Sequence, residues 1–107
     1  MEQIDFNYLD KLAQKYGTPF YLMDASTYLY NIKSFKSAFL SKYPRLVVGY
    51  SFKTNYVPAL CNIAMGEGCY AEVVSEMEYD LAKRIGFKNV IFNGPIKRES
   101  ILNKALN

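Results

Sequence analysis

The sequence predicts an α/β fold built on parallel strands, and two observations carry that reading. Apolar, strand-like runs start at residues 46, 69 and 90, which are 23 and 21 residues apart. Helical patterns fill the gaps, one running to Gly66 and one stopping at Gly86. Neighbouring parallel strands need a crossover of a dozen or more residues, so strand and helix alternating at this interval build βαβ units.

In order, residues 7–16 read as a helix, with Asn7 as its cap and Gly17 as its stop. Leu9, Leu12, Ala13 and Tyr16 share one face of it. Residues 18–23 read as a strand, and Pro19 near its start marks an edge position or a strand beginning. Asp24 and Ser26 both suit the cap of a second helix running to about Lys42. Its apolar face is Leu29, Ile32, Phe35 and Phe39, and Pro44 forbids continuation. The repeating part follows: a strand over 46–53, a helix over 57–66 with Pro58 in its first turn, a strand over 69–74, a helix over 76–85 and a strand over 89–93. A last helical pattern holds Ile101, Leu102, Ala105 and Leu106. Three such units can neither close a barrel nor cover a sheet, so the 107 residues are expected to be part of a longer protein.

Composition removes several classes of function. There is no histidine, which excludes Ser-His-Asp and Cys-His catalysis within these residues and most zinc sites. Cys61 and Cys69 are too few for a disulfide framework and read as reduced thiols. The N-terminus is acidic and polar rather than basic then apolar, so a cytoplasmic protein is expected. No run of about 18 apolar residues exists to span a membrane. The net charge of +3 is mild and its basic residues are scattered, which does not suit nucleic acid. The ten tyrosines and seven phenylalanines fall at helical and strand spacing, where packing explains them.

Chemistry is concentrated at strand ends. Alternation sends Val47, Gly49, Ser51 and Lys53 to one face and Leu46, Val48, Tyr50 and Phe52 to the other. The bulky set suits packing against helices, and the small residues leave room on the lysine's face. Lys53 closes its strand at the carboxyl end, where parallel α/β folds place their sites. An amine with little water around it loses its proton readily and can form a Schiff base with an aldehyde. Glu72 lies inside an apolar strand, where a carboxylate needs a partner, and a lysine on the neighbouring strand is the natural one. Ser75 and Glu78 fit a helix capping box, which accounts for both. Asn93 and Gly94 close the third strand at the same end, and Gly94 would admit close approach by a ligand. Gly66-Glu67-Gly68-Cys69-Tyr70-Ala71 spells G-x-G-x-x-A, but it follows a helix and opens a strand, the reverse of a dinucleotide site.

These segments resemble one family. Gly17-Thr18-Pro19-Phe20-Tyr21-Leu22-Met23-Asp24 is similar to the "GTPLYVYD" entry of the diaminopimelate, ornithine and arginine decarboxylases, the group IV decarboxylases. Tyr50-Ser51-Phe52-Lys53-Thr54-Asn55 resembles their "YAVKAN", whose lysine carries pyridoxal 5′-phosphate. Glu72-Val73-Val74-Ser75-Glu76-Met77-Glu78 resembles "DVVSGGEL", and Ile91-Phe92-Asn93-Gly94-Pro95-Ile96-Lys97 resembles "F-x-G-x-x-K". The four stand in the family's order from about residue 8 to 102. Departures are Glu72 for the family's aspartate, Glu76-Met77 for its paired glycines, and Thr54 for the alanine after its lysine.

The resemblance implies an alanine-racemase-like (β/α)₈ barrel joined to a C-terminal β-sandwich. Residues 1–24 would associate with the sandwich, and residues 25–107 would begin the barrel, whose first strand lies near 46. It implies a pyridoxal-phosphate-dependent decarboxylase of basic or diamino acids, a homodimer, with Lys53 as the catalytic and cofactor-bearing residue and Glu72 and Asn93 beside the cofactor. The family's ring-stacking histidine, glycine-rich phosphate cradle and partner-subunit residues have no counterpart here, so the 107 residues alone are expected to be inactive. A racemase on the same barrel and a non-catalytic cofactor carrier are the alternatives.

Overall fold

The computed structural model describes residues 4–106. Its elements are α1 (Phe6–Tyr16), α2 (Ala25–Leu40), β1 (Gly49–Ser51), α3 (Pro58–Gly66), β2 (Tyr70–Val73), α4 (Glu76–Ile85), β3 (Val90–Phe92) and α5 (Glu99–Leu106). The strands form one parallel sheet in the order β1-β2-β3, joined by α3 and α4 as the spacing requires. The register sets Ser51 beside Glu72 and Glu72 beside Ile91. Pairing runs slightly past the strand ends: Tyr70 N–H donates to Val48 O at 2.9 Å and Phe52 N–H to Glu72 O at 2.9 Å.

Alternation decides which residues build the core. Phe52, Ala71 and Val73 turn to the helix side and are fully buried with Cys61, Ala82 and Phe87. Phe52 meets Phe87 edge-on with ring centroids 5.5 Å apart, and Tyr50, Val90 and Phe92 pack around them. Both cysteines are buried free thiols, and burial pushes both thiols up from their ordinary range. The opposite face carries Gly49, Ser51, Glu72 and Ile91, none of them buried. A Cβ built on Gly49 would stand 3.2 Å from Ile91 Cδ1, two strands away. In a flat sheet those strands lie about 9.5 Å apart. Ile91 therefore leans across β2, and the sheet curls toward this face.

Several boundaries differ from expectation. The expected strand at 18–23 is not formed: the described residues offer it no ladder partner, and Tyr21 is 96% exposed. The Thr18–Pro19 peptide bond is cis. Asp5 rather than Asn7 caps α1, its Oδ1 accepting from Tyr8 N–H at 2.8 Å, and Gly17 ends the helix with φ 79°. Asp24 caps α2, and Ser26 instead donates its hydroxyl to Asp24 at 2.6 Å. That helix ends at Leu40, two residues early, in a turn closed by Phe39 O. Neither α1 nor α2 buries a residue, and Phe35 and Phe39 of the expected apolar face stay 52% and 41% exposed. α2 lies against α3, where Lys36 Nζ donates to Glu67 O. Among the described residues no helix is long and apolar enough to cross a membrane.

Candidate active site at the carboxyl rim of the sheet

Lys53, Glu72 and Asn93 all lie toward the carboxyl ends of their strands. Continuing the register two residues beyond the Ser51–Glu72–Ile91 row sets Lys53, Val74 and Asn93 at one level. Asn93 holds that level by donating its N–H to Val73 O at 2.8 Å. Glu72 stands one layer deeper, about 6.6 Å at the usual rise per residue.

Local sequence explains the lysine's setting. Buried Phe52 anchors the backbone immediately before it, and Thr54 and Asn55 N–H groups both donate to Ser51 O, closing a tight turn that presents Lys53 to solvent. Asn55 Oδ1 then accepts from Val57 N–H at 2.9 Å and leads the chain into α3. Lys53 and Glu72 form no ion pair within 4 Å among the described residues, contrary to the pairing expected of neighbouring strands. Register sets Ser51, not Lys53, directly beside Glu72, so the half-buried carboxylate and the exposed amine stand at different depths.

The α4 start is fixed as expected but with one variation. Ser75 Oγ accepts from Glu78 N–H at 3.3 Å, and buried Glu78 accepts from Val74 N–H at 2.8 Å, one residue earlier than a standard capping box would place it. Gly94 has a different use from the one expected. It is buried, and a Cβ there would lie 2.9 Å from the Val74 carbonyl carbon and closer still to its oxygen. The room left by Gly94 is filled by the protein's own backbone, not kept for a ligand. Lys97 Nζ tethers the same loop through Gly94 O at 2.7 Å.

A cleft of about 370 Å³ opens at this end of the sheet, lined by Val74, Ser75 and Met77 on one side and Phe92, Ile96 and Ile101 on the other. It lies between α4 and the loop after β3, and Lys53, Glu72 and Asn93 do not line it. Among the described residues no group of three His, Cys, Asp or Glu side chains could hold a metal ion. Ile91 carries no signal of this role in the sequence, because its approach to Gly49 depends on sheet curvature, and Gly49 is legible there only as a source of space.

No protein-family model matches the chain. Similar proteins are the diaminopimelate decarboxylase of Bacillus subtilis (strain 168), 37% identical over 97 residues, that of Aquifex aeolicus (strain VF5), 30% over 101 residues, and that of Methanocaldococcus jannaschii, 33% over 99 residues. These matches cover 89%, 92% and 86% of this chain but 22%, 23% and 23% of the relatives, so the chain spans less than a quarter of their length. The aligned region takes in nearly all of the chain, as the four motifs do. Over nearly its whole length the chain is thus similar to part of several diaminopimelate decarboxylases, in agreement with the group IV decarboxylase motifs that it resembles.

Proposed function

We propose that the chain is the N-terminal portion of a pyridoxal-phosphate-dependent decarboxylase acting on a basic or diamino acid, with Lys53 as the residue that bears the cofactor. The observation that carries the proposal is the homology to diaminopimelate decarboxylases over a segment whose lysine stands at the carboxyl rim of a parallel sheet. Lys53 is open to solvent here, not held with little water around it as the sequence suggested, so what supports the reading is its place: it stands beyond a strand whose face is kept open by Gly49 and Ser51, with Glu72, a carboxylate on the strand residues of that face, one layer below. When bound, the cofactor supplies an electron sink for the carbanion left by loss of carbon dioxide.

The chain's own residues divide the remaining work. Lys53 would hold the aldehyde carbon and afterwards carry a proton at Nζ. Glu72 would place negative charge beneath it, and Asn93 would offer an amide at the same level. Residues 1–24 would associate with a C-terminal β-sandwich, and 25–107 would open a (β/α)₈ barrel in a cytoplasmic homodimer. The curl of the three-stranded sheet and the exposure of Tyr21, Leu22 and Met23 support the barrel and sandwich parts of that reading.

The test uses the full-length protein. Pyridoxal phosphate is added, the visible Schiff-base band is recorded, and the adduct is trapped with borohydride and mapped. Label on Lys53 is expected; label on another residue would sink the assignment. Carbon dioxide release is then measured with diaminopimelate, ornithine, arginine, lysine and carboxynorspermidine. Release from one of them is expected, and none from the 107 residues alone. Bound cofactor with no release from any would favour a carrier.

A further inference from the structure

On the lysine's face, two residues of the outer strands flank Glu72: Gly49 one layer below it and Ile91 level with it. Gly49 on β1 presents a bare Cα. Ile91 on β3 reaches across β2 until its Cδ1 stands 3.2 Å from where a Cβ on Gly49 would be. Glu72 stands between them on β2, beside Ser51 and Ile91 in register. Its Cβ and Cγ lie 3.5 and 4.0 Å from the same point, so the side chain recedes from Gly49 as it extends. Alternation puts only Lys53 and Tyr70 on this face as further titratable groups.

We infer that Gly49 and Ile91 are positioning residues for Glu72: together they close the amino-terminal half of the curled face and set the direction in which the carboxylate extends relative to Lys53. The inference rests on the reading that Lys53 bears the cofactor. Ordinary packing would make Gly49 merely small. Here its smallness is matched to one atom, Ile91 Cδ1, and that match gives a distinctive test.

A methyl group at 49 meets Ile91 Cδ1 at a separation tighter than ordinary contact, while Ile91→Val removes that same atom. The cofactor-loaded full-length protein is prepared as wild type, Glu72→Gln, Gly49→Ala, Ile91→Val and the Gly49→Ala/Ile91→Val double variant. The pH midpoint of the visible band of the lysine-bound cofactor is measured for each, with a thermal melt. Glu72→Gln is expected to lower the midpoint by removing a nearby negative charge. Gly49→Ala should move it the same way by about half a pH unit, a roughly threefold change in proton affinity. The double variant should return it close to wild type. A lower melting temperature for Gly49→Ala with an unmoved midpoint overturns the inference and leaves packing as the glycine's role. If Gly49→Ala does not fold, Ile91→Ala serves instead: it opens that face without steric load, and an unmoved midpoint there has the same consequence. A wild-type band absent, or mapped to another lysine, refutes both this inference and the reading beneath it, whereas an intact Lys53 band insensitive to Glu72→Gln refutes the inference alone.

Discussion

Substituting alanine for Gly94 should be among the most disruptive single-methyl changes available to this chain. The new Cβ would fall 3.2 Å from the Val74 Cα, a tight contact, and 2.9 Å from its carbonyl carbon and nearer still to the oxygen, separations that real Cβ atoms do not adopt. The obstacle is backbone, so no side-chain rotation relieves it. The loop after β3 must back away from the end of β2. Doing so stretches the Asn93 N–H to Val73 O bond, now 2.8 Å, and displaces the carbonyl that Lys97 holds at 2.7 Å. Overpacking in a core usually costs about 1–3 kcal/mol, and an immovable neighbour places this case at the upper end. For a domain of about 100 residues, roughly 3 kcal/mol corresponds to a fall in Tm of about 12–24 °C. Gly66→Ala is the matched control. Its added methyl meets nothing within 4 Å at the end of α3, so it should be neutral or slightly stabilising. Both variants are compared with wild type by thermal melting followed by far-UV circular dichroism. A Gly94→Ala melt within about 2 °C of wild type, where the cited scaling requires several times that, would refute the steric reasoning.

Other outcomes follow from single groups. Hydrogen bonds from the Ser26 hydroxyl, then from the Thr27 hydroxyl and N–H, hold the Asp24 carboxyl well below the usual carboxylate range. The stability it contributes is therefore present above about pH 4, its unfolded range, and is lost as acid carries the pH down through the folded value; Asp24→Ala should remove that part of an acid titration of α2 helicity. Tyr28 and Tyr50 meet edge-on at 6.3 Å with both hydroxyls buried beside one another, and burial, joined for Tyr28 by the Tyr50 hydroxyl, raises both phenols above their ordinary value. Their contribution is intact below about pH 10 and is lost as pH rises through the folded values, so tyrosinate absorbance should show these two ionising after the others, together with release of α2. Tyr28→Phe, which removes one hydroxyl of this buried pair, should change urea stability by no more than about 1–3 kcal/mol; a larger loss would reveal a partner beyond Tyr50. Glu78→Ala strips the acceptor from Val74 N–H and should cost about 1–3 kcal/mol, with faster amide exchange at Val74 as its local signature.

The legible part of the fold was whatever depends on period. Strand–helix alternation predicted three parallel strands joined by helices, and two-residue alternation sent Tyr50 and Phe52 to the core and Gly49 and Ser51 away from it. Gly17 and Gly86 stop their helices where expected, each at positive φ. What failed depends on partners. Residues 18–23 have a strand's composition, but a strand exists only where another backbone meets it, and composition cannot supply that neighbour. Lys53 and Glu72 were expected to pair because their strands are adjacent. Register, a property of two strands at once, sets them a layer apart. Gly94 looked like room for a ligand because a glycine's emptiness is visible in sequence and the carbonyl that fills it is not.

Phe52 and Lys53 are consecutive, and one is fully enclosed while the other is open to solvent. The ring of Phe52 is wedged against Phe87 and Tyr50, so the aim of the lysine is set by how those aromatics seat. A change at Phe87, on the far side of the sheet from the amine, therefore bears through Phe52 on the backbone that carries Lys53.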